Sequence, residues 1–203
     1  MLEDYQQCKY WKRYRMHRGN AGYLLSALVV AAALYVVFCY NRLVRARNML
    51  QEGWSGIDVQ LRRRADLVPN LIETVKGYAA HEHGIFEDLA DKRAQSLAAN
   101  TVTGQVAAEQ AMQGALGRLF AVAEAYPELK ADANFRQLQT ELEQIEDQLQ
   151  LARRYYNGVA REMNTRVQSF PGNLVAARFG FTSASYFELG DEAARAAPKV
   201  AFG

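Results

Sequence analysis

The chain has 203 residues, with 24 Lys and Arg against 22 Asp and Glu, for a net charge of +2. That near balance excludes a nucleic-acid binder driven by bulk positive charge, and a hydrophobic content of 50% excludes a disordered chain. Two cysteines, Cys8 and Cys39, exclude a disulfide scaffold, and 4 prolines with 14 glycines exclude a fibrous or low-complexity protein.

Residues 1–20 form a basic, aromatic segment: Lys9, Lys12, Arg13, Arg15 and Arg18 alternate with Tyr10, Trp11 and Tyr14, against only Glu3 and Asp4. It reads as a topology determinant resting on anionic headgroups rather than an RNA-binding tail, since the chain has no second basic patch. Residues 21–40 then carry no charge. A helix of that length spans roughly 30 Å, the thickness of a bilayer's hydrocarbon layer. Tyr23 and Tyr40 suit its interfacial ends. The apolar run is longer than a signal-peptide core and lacks a small-x-small cleavage site, so an uncleaved transmembrane helix is predicted. Arg15 and Arg18 flank it on one side, Tyr40 and Arg42 on the other. Five cations precede the span and Arg42, Arg45 and Arg47 follow it, which places the N-terminus in the cytoplasm and the bulk of the chain across the membrane. Cys39, at the membrane face, is a small apolar residue or an acyl acceptor.

Residues 41–170 read as a long antiparallel, up-and-down helical bundle of about four helices, at roughly 22–65, 67–99, 104–126 and 132–170. The first carries an apolar stripe of Leu43, Leu50, Trp54, Ile57, Leu61, Ala65 and Val68 straight out of the span. Gly53 and Gly56 weaken it by about 1 kcal/mol each, and close helix approach would explain their presence. At Asp66-Leu67-Val68-Pro69 a new helix is expected, capped by Asp66 with Pro69 in its first turn, in preference to a kink in one continuous helix. The last helix has Asp132 as N-cap and repeats Phe135, Leu142, Leu149, Tyr156, Met163 and Phe170 at seven-residue intervals. Residues 171–203 form an irregular, apolar C-terminal tail that needs a partner: its own bundle, the membrane surface or a neighbouring subunit.

Several stretches resemble the LemA family of bacterial membrane proteins: Tyr40-Asn41-Arg42-Leu43-Val44, Trp54 through Leu71, Glu73 through Tyr78, His81-Glu82, Ala152 through Asn157, Asn164, Phe170-Pro171 and Ala197-Pro198-Lys199-Val200. The resemblance implies an N-terminal anchor in the bacterial cytoplasmic membrane and a long antiparallel helical bundle, in a family with no established enzymatic activity. By analogy with a relative that takes part in building magnetosome membranes, it also implies a membrane-organising role. About twenty basic, aromatic residues precede the anchor, where a short start is usual in the family.

Chemistry motifs give no counterweight. His81 and His83 lie about 200° apart on a helix and cannot share a metal on one face, and no phosphate-cradling glycine loop or nucleophile elbow occurs. No cofactor, catalytic residue or nucleic-acid partner is expected. Arg62, Arg63 and Arg64 fan around one helix, so at least one should turn inward. A polar network joining them to Asp58, Asp66 or Asn70, and a second group of Arg153, Tyr156 and Asn157 beside the apolar seam, are the candidate interaction residues. The expected function is a membrane-anchored, self-associating scaffold or adaptor in membrane organisation or envelope stress. The alternative is a regulatory or sensor subunit presenting a membrane-protein partner such as a protease or phosphatase.

Overall fold

The computed structural model describes residues 2–188 and, within them, side chains from residue 22 onward. The proposed flanks Arg15 and Arg18, the rest of the basic N-terminal segment and the tail after residue 188 therefore lie outside the described side chains. Among the described residues all regular structure is helical: α1 (Leu2–Lys76), α2 (His83–Ala98), α3 (Val102–Glu124), α4 (Pro127–Ala131), α5 (Ala133–Gln168) and α6 (Gly172–Phe179). The chain divides into two compact units, one of residues up to Ala46 with Thr165–Thr182, the other of Arg47–Asn164 with the residues from Ser183 on.

In the first unit, the stretch of α1 from Gly22 is long and apolar enough to cross a membrane, and none of it is buried. An uncharged helix that exposes Leu24, Leu28, Leu34 and Val37 on every side has no protein core to serve and matches a lipid environment. Burial begins at Cys39, Leu43 and Ala46. There Arg166 Nη1 donates to the carbonyl of Arg42 at 2.7 Å. Tyr40 meets Phe179 and Phe181 edge-on, with ring centroids 4.9 and 5.8 Å apart. The segment expected to be irregular from residue 171 thus contains α6. Gly180, at φ 72°, ends α6 in the left-handed conformation that only glycine adopts without strain, and Phe181 N–H closes the turn onto Ala176 O at 3.0 Å.

The second unit is an up-down-up-down bundle of α1, α2, α3 and α5. Pairs that run in opposite chain directions show the order. Arg93 of α2 reaches Ala65 of α1, and Lys76 lies over Phe86. Asp88 pairs with Arg118 and Ser96 with Gln105 between α2 and α3. Phe120 meets Phe135 edge-on between α3 and α5. Gly53 abuts Tyr155 and Tyr78 bonds Asp132 between α1 and α5. A Cβ at Gly53 would stand 3.3 Å from Tyr156 Cα, so this glycine does permit close approach, whereas Gly56 has open space around it. The caps are as the residues dictate: Asp132 Oδ1 accepts from Phe135 N–H at 2.8 Å, and Thr101 Oγ1 from Gly104 N–H at 3.0 Å.

Two sequence expectations are corrected. No helix starts at residue 67: α1 continues through Pro69 to Lys76, and the break falls at residues 77–82, before α2. A proline inside a helix removes the N–H that would bond the carbonyl four residues earlier. That carbonyl belongs to Ala65, and it accepts instead from Arg93 Nε at 2.7 Å. The orphaned acceptor is satisfied from α2, so the helix has no need to stop. Phe170, read as the last residue of the α5 stripe, lies beyond the helix end and is 79% exposed.

The bundle interior is layered. One cluster, entirely apolar, gathers Val68, Leu71, Val75, Leu89, Met112, Leu119 and Phe135 among others. A second, smaller cluster holds Ile57, Leu61, Leu149, Tyr156, Ala160 and Phe187. In sequence, Arg64 falls between the α1 members of the two clusters and Glu146 between their α5 members.

Candidate functional site

The charged layer is built by one residue from α1, one from α3 and two from α5. Arg64 pairs with Glu109 and lies 3.4 Å from Glu146; Arg153 lies 3.2 Å from Glu109 and 3.5 Å from Glu146. Glu109 is the most secluded, with a side chain 1% exposed, against 34% for Glu146. Two cations and two anions cancel, which is what allows them to lie inside a bundle, since an unpaired buried charge costs several kcal/mol. Burial pulls Arg153 below the ordinary arginine range, with Glu109 and Glu146 opposing the shift. Its guanidinium carbon also sits 5.2 Å from the Phe187 ring centroid. The layer can fix the register of three helices, because sliding any one of them would strand a charge.

Beside it, two asparagines of α5 hold the extended segment 183–188. Asn157 Nδ2 donates to Phe187 O at 3.0 Å while its Oδ1 accepts from Phe187 N–H at 2.8 Å. Asn164 repeats the pattern with Ala184, at 3.0 and 2.7 Å. Each carboxamide thus offers the one donor and one acceptor that a neighbouring strand would offer. The spacing explains the fit: seven helical residues rise about 10 Å, and three extended residues cover about the same distance. Tyr156 Oη donates to Ser185 O at 2.9 Å between the two clamps, and burial raises its phenol above the ordinary value. Phe187, 2% exposed, fills the space beside Trp54 and Tyr156.

The residues singled out from sequence therefore do not form one network. Arg64 and Arg153 join the charged layer; Tyr156 and Asn157 hold the extended segment. Asp58 and Arg62 make an exposed pair at 2.9 Å. Arg63 is exposed. Asp66 lies 4.0 Å from Arg93, and Asn70 is exposed, its carbonyl accepting from Thr74 Oγ1. Neither Asp58, Asp66 nor Asn70 is Arg64's partner. Tyr40 and Arg42 sit at the end of the apolar stretch with Phe179 and Arg166.

Sequence reasoning missed Glu109 and Glu146, and gave no site role to Asn164 or Phe187. Glu109 had a readable signal: with Met112, Leu116 and Leu119 it lies on the buried stripe of α3, where an acid needs a cation. Asn164 follows Asn157 by one heptad. Among the described residues no group of three or more His, Cys, Asp or Glu side chains is placed to hold a metal ion. His81 and His83 are exposed. Tyr78, bonded to Asp132 at 3.2 Å, has its phenol raised by that bond.

Residues 53–202 match the LemA family, a stretch that contains the charged layer and the asparagine pair. The chain is similar to magnetosome protein MamQ 2 of Paramagnetospirillum magneticum, 30% identical over 203 residues, covering 86% of this chain and 75% of the relative. It is also similar to magnetosome protein MamQ of Magnetospirillum gryphiswaldense, 27% identical over 202 residues with 85% and 74% covered. Protein LemA of Metamycoplasma hominis is 24% identical over 172 residues, with 83% and 78% covered.

Proposed function

The chain belongs to the LemA family, and on that premise we propose that it is a membrane-anchored helical scaffold that associates with further copies of itself and acts by contact rather than turnover. The observation that carries this reading is α1 itself. One unbroken helix contains a stretch from Gly22 with no buried residue and, further on, the stripe Ile57, Leu61, Val68 and Leu71 of a bundle core. Such a helix ties a packed domain to a lipid surface. The charges inside the bundle are spent on one another, in keeping with a structural part for them. Exposed Val59, Leu151 and Tyr155 on α1 and α5 support a protein neighbour. Relatives named as magnetosome proteins support a part in building a cellular structure.

The anchor lies in the bacterial cytoplasmic membrane with the N-terminus in the cytoplasm, on the balance of cations around the span. Anchoring confines copies to two dimensions and raises their effective concentration, which favours weak lateral contacts. Cross-linking of the full-length protein in native membranes tests the reading. The expected products are dimers and higher species whose yield rises with expression level; a monomer at every level overturns it. Partners recovered without self-copies would point instead to a regulatory subunit.

A further inference from the structure

We propose that the first unit carries a binding site for an anionic phospholipid of the bilayer, at the C-terminal end of the apolar span, with α6 lying in the interface beside it. The inference rests on reading the stretch from Gly22 as membrane-spanning.

The site is a crevice of about 200 Å³ between the end of the span and the turn that joins α5 to α6. Tyr35, Phe38 and Phe170 give it an apolar side; Arg42, Arg166 and Ser169 give it a polar one. Along α1 the order runs from Tyr35 to Arg42, a rise of about 10 Å. An acyl chain entering at Tyr35 and a phosphate at Arg42 have the same polarity and the same depth in a bilayer as those residues. Arg166 Nη1 donates to the main-chain carbonyl of Arg42, the Arg42 guanidinium lies 5.6 Å from the Phe38 ring centroid, and both arginines line the crevice. Arginine binds phosphate oxygens through paired donors, and the low dielectric near the hydrocarbon edge strengthens the attraction.

The charge pattern selects an anionic lipid over a zwitterionic one. Residues 22–46 and 165–182 contain Arg42, Arg45, Arg166 and Arg178 and not one Asp or Glu. Elsewhere the bundle mixes both signs. Large apolar exposure gathers here as well: Phe170 is 79%, Leu174 62% and Phe179 51% exposed, and the Arg178 guanidinium lies over the Phe179 ring. In water such a cluster is a solubility liability, whereas in the headgroup region aromatic and aliphatic side chains bury while arginines reach phosphates. Val175 and Ala176 are buried on the protein side of α6, so the helix has one face for the chain and another for a partner.

Full-length protein in detergent is titrated with phosphatidylglycerol and phosphatidylcholine, and bound lipid is read by native mass spectrometry. Retention of phosphatidylglycerol at least fivefold above phosphatidylcholine is expected. Arg42→Gln with Arg178→Gln should bring that ratio close to one, while Lys130→Gln on α4 leaves it unchanged. Separately, Leu174→Trp is placed in vesicles of phosphatidylglycerol and brominated phosphatidylcholine, where the added fluorescence should be quenched at least twofold. Equal retention of the two lipids, a ratio insensitive to the double substitution, or an unquenched tryptophan would each overturn the proposal. Failure of the unaltered chain to partition into vesicles at all would remove the spanning helix itself, which separates the two readings.

Discussion

The two interior regions of the bundle are made by the same kinds of helices and solve different problems. Around Leu71, Leu89, Leu119 and Phe135, four helical stripes meet and hydrocarbon fills the space between them. Around Ile57, Leu149 and Tyr156, the α2–α3 turn at residues 99–101 is near, only the first turns of α3 still contribute, through Val102 and Val106, and α1 and α5 go on. Two helices and the start of a third cannot enclose a stripe that four can. The extended segment 183–188 closes that side, held through its backbone by Asn157 and Asn164 and through Phe187 by packing. The difference teaches why this chain needs an apolar segment after its last long helix, and why polar side chains gather in one region only. Apolar burial is non-directional and tolerates sliding; the charged layer and the asparagine clamps do not.

The comparison can be broken most forcefully at Glu109. Glu109→Ala leaves two buried arginines to share the half-exposed Glu146 alone and should cost about 3–5 kcal/mol in chemical denaturation of the detergent-solubilised protein. Leu119→Ala, in the apolar region, should cost about 2–5 kcal/mol by leaving a cavity. The triple change Arg64→Met, Glu109→Leu, Arg153→Met should instead be as stable as the parent or more so. That result would mean that the layer specifies register rather than adding stability; a triple variant as weak as Glu109→Ala would contradict it.

Next in size is the clamp. Asn164→Ala removes the partners of Ala184 N–H and C=O and should cost about 1–3 kcal/mol. Limited proteolysis should then cut within residues 181–188 while the α2–α3 hairpin resists. Equal resistance in the parent and the variant would show that packing of Phe187 alone holds the segment.

The smallest effect sharpens the account of α1. Arg93→Ala should cost about 1 kcal/mol more in the parent than in a Pro69→Ala background, because only proline leaves the Ala65 carbonyl without its helical donor. A double-mutant cycle with no coupling would mean that Arg93 acts elsewhere.

What the sequence disclosed follows the range of the interactions involved. The uncharged stretch 21–40, the stripe from Leu43 to Val68, the Asp132 cap and the inward turn of one arginine among Arg62, Arg63 and Arg64 are local, and local spacing predicts them. Pro69 misled because its consequence is decided by Arg93, more than twenty residues away. Arg64 was legible as inward-turning, but its partners Glu109 and Glu146 come from other helices, and the nearer acids Asp58 and Asp66 drew attention instead. Asn157 was noticed beside the seam; its function needed the docked segment, whose extended shape carries no periodic signal.

The asparagine clamps have one more consequence, for how freely the docked segment can change. Because the amides read main-chain groups, the identities of Ser183, Ser185 and Tyr186 go largely unread, and those positions can drift. Length cannot: one residue inserted between Ala184 and Phe187 would put the second amide opposite the wrong peptide unit. A saturation library at positions 183, 185 and 186 should therefore accept many substitutions, and an insertion library across the same stretch almost none, the opposite of what an ordinary surface loop accepts.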